Sequence, residues 1–251
     1  MKVITICDHK GGVAKTTTAA AIAQGIAYIH PKAKTLLIDA DPQGTATQSV
    51  YGIKNSVPGL YEVITDTLDI NAAVIHTEAG NIIPFSPKLR SLDAELSNDP
   101  GKNFYLREKL SDLKGYTHVI IDTSPYLNLA NVQALTASDC VLIPIGANPE
   151  TVESLPATLT TIQQVKKYLN NDLVLSGALI TLYDGRSNVV KQYAELISDI
   201  CKKNDIKLLS TKVRMCAAIK EAHALKCDLF SHAPKSNVVK DYTAVIKELK
   251  L

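Results

Sequence analysis

Residues 2–18 read KVITICDHKGGVAKTTT, and the order of residue types in that stretch decides the fold. A short apolar, β-branched run (KVITIC, 2–7) stops at Asp8 and His9. The glycine pair Gly11–Gly12 follows, then Lys15-Thr16-Thr17-Thr18, then an Ala-rich helical stretch to about Tyr28. The reading is strand, tight glycine turn, helix. Small residues in such a turn let backbone N–H groups approach an anion closely, and the following helix presents its positive end to phosphates. Lys15 then supplies a point charge for β- and γ-phosphates, and Thr16 a hydroxyl for Mg²⁺.

Working outward, TLLIDAD (35–41), THVIID (117–122), CVLIPI (140–145), LVLSGALITL (173–182) and IKLLS (206–210) read as further buried strands. Residues 101–114, 128–138, 150–170 and 188–203 show helical spacing between them. Near-continuous apolar strands separated by helices predict an α/β fold: a doubly wound, mostly parallel sheet with helices on both faces. No Gly/Ser/Pro-rich linker interrupts the alternation, so one unit over residues 1–251 is expected. Ligands in such sheets bind beyond the carboxyl ends of the strands. Polar residues cluster there: Lys10 to Thr16 follow the first strand, Asp39 and Asp41 end the second, and Asp122 ends the THVIID strand. A Mg²⁺ bridging phosphate oxygens keeps waters that carboxylates hold in place, and Asp122, after four apolar residues, is the expected Walker B acid.

Composition sets the outer bounds. The chain is 46% hydrophobic and 21% charged, ordinary for a globular protein. No stretch approaches ~18 uninterrupted apolar residues, so no transmembrane helix is expected, and MKVITIC is too short for a signal peptide. The five cysteines are irregularly spaced without a CxxC pair, which argues against a disulfide framework or zinc site and for a cytoplasmic protein with reduced thiols. Residues 1–150 hold 12 Lys/Arg against 15 Asp/Glu, leaving 15 against 10 in residues 151–251, so the halves carry −3 and +5. The basic second half hints at a polyanion partner.

The loop departs from the regular GxxxxGK[ST] pattern: Ala14 replaces the last glycine, where a Cβ is tolerable only if the backbone avoids positive φ. Lys10 precedes the glycine pair. The residues spell KGGxxK[ST], and here the sequence resembles the ParA/MinD family of deviant Walker A ATPases. DADPQGTATQ (39–48) is similar to the family's switch I and IIDTSP (120–125) to its Walker B and switch II. Segments 137–155, 180–188 and 232–236 resemble those of Soj-like ParA partition proteins. The chain begins directly at the first strand, so the helix-turn-helix domain of larger plasmid ParA proteins, and an autorepressor role, are not expected.

The resemblance implies a slow ATPase that uses ATP and Mg²⁺, forms a nucleotide-sandwich homodimer, binds non-specific DNA, and is stimulated by a ParB-type centromere-binding protein while associated with the nucleoid. Nucleotide would be bound by Lys10, Gly11, Gly12, Val13, Ala14, Lys15, Thr16 and Thr17. Lys10 would be the signature lysine that reaches the partner's phosphates, and Asp41 would orient the attacking water. Thr16, Asp39 and Asp122 would hold the metal, the carboxylates through water. Asp8 stands where many relatives have asparagine, adding a negative charge near the site. Arg186 matches an arginine of the DNA-binding surface, with Lys212, Arg214 and Lys220 as companions.

Competing readings are a MinD-like positioning ATPase that uses a membrane, a metabolic or redox relative, and a binder that never hydrolyses ATP. The first needs an amphipathic C-terminal tail. Residues 237–251 carry Val238, Val239, Tyr242, Val245, Ile246 and Leu249 on one face, but a helix packed on the sheet looks the same. An iron-protein relative needs a cysteine soon after Asp122, and 123–130 (TSPYLNLA) lacks one. A synthetase needs a motif for a second substrate, and none is visible. Asp41 argues against a binder without turnover.

Overall fold

The computed structural model describes residues 1–54 and 57–251. In chain order the elements are β1 (Lys2–Ile6), α1 (Lys15–Ile29), β2 (Thr35–Asp39), α2 (Leu60–Ile64), β3 (Ile75–Thr77), β4 (Gly80–Ile83), α3 (Leu92–Glu95), α4 (Tyr105–Asp112) and β5 (His118–Asp122). Then come α5 (Leu129–Thr136), β6 (Cys140–Gly146), α6 (Pro149–Tyr168), β7 (Val174–Thr181), α7 (Asn188–Lys203), α8 (Ala217–Leu225), α9 (Leu229–His232) and α10 (Asn237–Leu249).

The sheet runs β3-β4-β2-β5-β1-β6-β7, and every neighbouring pair is parallel except β3 with β4. Side chains alternate across a strand, and here both faces are apolar. Ile4, Ile6, Leu37, Ile120, Leu142 and Leu179 point to one side, where α1, α8, α9 and α10 cover them. Val3, Leu36, Ile38, Val119 and Ile121 point to the other, and Val141, Ile143, Ile145 and Ile180 continue that layer under α6 and α7. This is the two-faced burial that the apolar runs predicted.

After β1 the chain passes over β5 to β2, and after β5 it crosses β1 to β6. The winding therefore reverses at β1, and a crevice opens beyond its carboxyl end. The register aligns Ile6 with Asp122 and Asp122 with Asp39, so the three strand ends finish level.

Two expectations need correction. IKLLS (206–210) is not a strand of the sheet. It makes a single parallel bridge, Ala178 with Leu208, through Ala178 N–H to the Lys207 carbonyl (2.8 Å) and Leu209 N–H to the Ala178 carbonyl (2.9 Å). A bulge between β6 and β7 offsets the register around Gly177, which lies at φ +140° with Lys207 against it. A Cβ there would sit 2.5 Å from the Lys207 oxygen. The kink lets the segment touch β7 but not run along it. Conversely, the β3–β4 hairpin was missed, because strands of three and four residues carry too little alternation to register.

The apolar face of α10 is spent on the core: Val238, Val239, Tyr242, Val245 and Ile246 are all buried against α1 and its neighbours. Among the described residues, no helix is long and apolar enough to cross a membrane.

Candidate functional site

The loop after β1 turns through two left-handed residues, Gly12 (φ 77°) and Ala14 (φ 61°, ψ 33°). A Cβ built at Gly11 or Gly12 would meet nothing within 4 Å, so the loop backbone borders open space large enough to admit a ligand atom. Ala14 overturns the expectation that its Cβ requires a negative φ. Its carbonyl accepts the first helical hydrogen bond, from Thr18 N–H at 2.9 Å, and the chain must swing left there to enter α1. A methyl group in the left-handed region costs about 1–2 kcal/mol, strain of the kind found where function dictates the backbone.

Lys15 opens α1 and is 7% exposed. Its Nζ donates to the Lys10 carbonyl at 2.6 Å. Burial pulls its ammonium below the ordinary lysine range, while the charges of Asp8, Asp122 and Asp41 oppose that shift. Lys10 does not share the cradle. Its Nζ pairs at 2.7 Å with Glu150, on the first turn of α6, and remains 34% exposed.

The three carboxylates differ in how they are satisfied. Asp39 is fully buried, and its Oδ2 accepts from the Thr47 N–H (2.8 Å) and hydroxyl (2.6 Å), while Oδ1 accepts from the Asp41 N–H (3.2 Å). Burial still pushes its carboxyl up to about 7. Asp41 Oδ1 accepts from the Gln43 N–H (2.8 Å); burial raises this carboxyl, and Lys15 and Arg90 hold it down. Asp122 is fully buried with neither oxygen hydrogen-bonded. Burial, then the charge of Asp39, pushes it well above the ordinary carboxylate range. The Thr16 hydroxyl lies close enough to favour its charged form without completing a hydrogen bond.

Orphaned buried oxygens call for a ligand, and two carboxylate oxygens beside a hydroxyl fit a hydrated cation. Among the described residues, no three His, Cys, Asp or Glu side chains converge to chelate a metal directly. Mg²⁺ keeps waters and takes substrate phosphates as ligands, so the oxygens of Asp122 and the Thr16 hydroxyl are the groups that would face it.

An AAA domain family model matches residues 1–175 of this chain. Sporulation initiation inhibitor protein Soj of Bacillus subtilis is 32% identical over 252 residues, covering 99% of this chain and 98% of Soj. Chromosome partitioning protein ParA of Myxococcus xanthus is 34% identical, covering 99% of this chain and 87% of its own. The chain belongs to the ParA/MinD family of P-loop ATPases.

Solved members of this fold agree. A cobyrinic acid a,c-diamide synthase of Mycobacterium smegmatis, solved with an ATP analogue and magnesium, superposes with TM-score 0.84 at 28% identity, covering 97% of this chain and 91% of that one. A plasmid partition protein of Borrelia burgdorferi superposes with TM-score 0.76 at 26% identity, covering 98% and 96%. This ParA/MinD chain is accordingly an ATPase with ATP and Mg²⁺ as its cofactors.

The basic residues gather on the β7 side. Tyr183 is their hub: Lys212 Nζ lies 4.6 Å from its ring centroid, its backbone bridges to Arg214, and Arg186 is three residues on. Yet the two arginines are already engaged. Arg186 holds Asp184 through Nε–Oδ1 (3.0 Å) and Nη2–Oδ2 (3.2 Å) while 92% exposed. Arg214 clamps Asp241 of α10 through Nε (2.9 Å) and Nη2 (2.6 Å), a tie between the loop and the last helix. Lys220 and Arg214 both line a mostly apolar cavity of about 250 Å³, with Ala14, Thr17, Leu182, Val213 and Met215.

The sequence reading missed that cavity, along with Glu150, Thr47 and Arg90. Only the cavity had a sequence signal, and a faint one: apolar residues just after two strand-like runs, which no spacing rule joins.

Proposed function

We propose that this chain, as a single unit over residues 1–251, is a ParA-type partition ATPase that moves plasmid or chromosomal DNA in the cytoplasm, in association with the nucleoid. Backbone N–H groups of residues 11–17 and the start of α1 cradle the phosphates, and Lys15 Nζ leaves the Lys10 carbonyl to meet them. The apolar cavity behind Ala14 and Thr17 receives the base. Thr16 ligates Mg²⁺, and Asp39 and Asp122 hold its waters. Bound there, Mg²⁺ would neutralise charge that develops on the transferred phosphoryl group. Asp41 orients the attacking water, with the Gln43 N–H holding its carboxylate and the charge of Arg90 favouring its ionised form.

The observation that carries the dimeric part is the unused lysine. Lys15 already serves its own cradle, whereas Lys10 stands outside it, half-exposed on Glu150, free to exchange that surface partner for phosphates across a two-fold interface. Two subunits would then place two sets of Arg186, Lys212, Arg214 and Lys220 beside one another, and paired basic surfaces hold duplex phosphates without reading bases. A ParB-type partner would stimulate turnover.

Light scattering of Asp41→Ala with ATP, with and without Lys10→Ala, tests the dimer. Dimerisation that is unchanged without Lys10 removes it. The MinD-like alternative asks α10 for a lipid-binding face, and that face lies in the core. Sedimentation of the ATP-bound protein with anionic liposomes, with no retention of random duplex DNA on filters, would reinstate that alternative.

A further inference from the structure

Asp8 lies two residues beyond the end of β1 and has no part in the roles above. Its carboxylate is fully buried. Oδ1 accepts from the Lys10 N–H (3.1 Å) and from the hydroxyl of Thr158 on α6 (3.0 Å). Oδ2 is buried with no partner among the described residues. Lys15 grips that same residue from its other end, through the Lys10 carbonyl. Lys10 thus ties the two together, its N–H bound to the Asp8 carboxylate and its carbonyl to the Lys15 ammonium.

We propose that Asp8 is a specificity-determining residue of the nucleotide site: its buried charge, tied to Lys15 through Lys10, sets the preference between nucleoside triphosphate and diphosphate. The physical ground is simple. A buried anion cannot move away when phosphates arrive, and little water is present to screen it. Every negative charge added to the ligand is resisted, and the γ-phosphate adds the most. Asp8 therefore weakens ATP more than ADP and keeps the site from saturating with triphosphate. Thr158 and the Lys10 N–H hold the carboxylate in place, so the effect belongs to the charge and not to a loose loop.

The proposal rests on Lys15 being the phosphate-binding lysine, and the test separates the two. Affinities for Mg·ATP and Mg·ADP are measured by calorimetry for the wild type, Asp8→Asn, Asp8→Ala, Thr158→Val and Lys15→Ala. Asp8→Asn keeps the acceptor oxygen and removes the charge; it should tighten ATP about tenfold and ADP about threefold. Asp8→Ala, which has no amide to donate to a phosphate, should shift the ATP/ADP ratio in the same direction. Thr158→Val keeps the charge, and its ratio should match the wild type. An unchanged ratio in Asp8→Asn overturns the proposal. So does a shift in Asp8→Asn that Asp8→Ala lacks, or one that Thr158→Val reproduces. ATP binding that survives Lys15→Ala would instead sink the cradle assignment beneath it.

Discussion

The rim beyond β1, β2 and β5 and the loops beyond β7 both carry charge, in opposite economies. At the rim, charges are buried and incompletely answered: Asp122 has no hydrogen bond, Asp8 leaves one oxygen bare, and Lys15 leans on a neutral carbonyl. Beyond β7 the arginines are exposed to solvent and already answered, Arg186 by Asp184 and Arg214 by Asp241. A buried group without a partner destabilises the empty protein and is relieved only by a ligand. An exposed pair contributes little whether made or broken. The rim is thus built around something absent from the chain, while the basic loops are complete without a partner and can engage one only by exchange.

This contrast can be broken most decisively at Lys15. Lys15→Ala removes one partner of a buried charge interaction, so ATP affinity should fall on the order of 100-fold or more. Thermal stabilisation by ATP that persists in this variant would show that the rim is not the phosphate site. Asp41→Ala should lower turnover by roughly 10²-fold or more while leaving ATP affinity within about threefold, as single-turnover and equilibrium measurements would reveal. A wild-type rate would strip Asp41 of its role.

The sign of the next effect is the sharper test. Asp122→Asn removes a buried carboxyl whose ionisation burial opposes, so in urea titration the nucleotide-free variant should gain about 1–3 kcal/mol over the wild type as pH rises and forces that carboxyl to ionise, even as Mg²⁺-dependent turnover is lost. Destabilisation instead would mean that Asp122 is satisfied in the empty state. In the basic region, Arg214→Ala should lower the melting temperature by about 2–4 °C, because the tie to α10 is cut. Arg186→Ala should leave it unchanged and weaken retention of random duplexes roughly threefold, with a shallower salt dependence. If the two arginines behave alike in both assays, the division between structural and available charge fails.

The major strands and helices were legible because their signals are local: apolar runs of five or more residues, and helical spacing between them. The level ending of Asp39 and Asp122 followed from chain order, since parallel strands of similar length finish together. What escaped depends on distance in sequence. Nothing in the spacing of Arg214 foretells its clamp on Asp241, 27 residues on. Glu150 meets Lys10 only once α6 is docked, 140 residues after the loop. Ala14 was read through the general preference of side chains for negative φ, and the loop overrides that preference because the chain has no other route into α1. The segment 206–210 has strand composition, but its pairing is decided by Gly177 on another element.

The hydrogen bond between the Thr18 and Tyr242 hydroxyls (3.0 Å) joins the helix that opens the nucleotide site to the helix near the far end of the chain. Biosynthesis meets these two in the opposite order from folding. The loop and α1 leave the ribosome early, yet β1 waits for β5 and β6, and the apolar face of α1 waits for α10. Contacts of such long sequence separation form slowly. The KGGxxKT motif therefore depends on a helix that lies far along the chain from it. A variant that lacks α10 should therefore keep every proposed site residue and yet lose thermal stabilisation by ATP, because α1 has nothing to pack against.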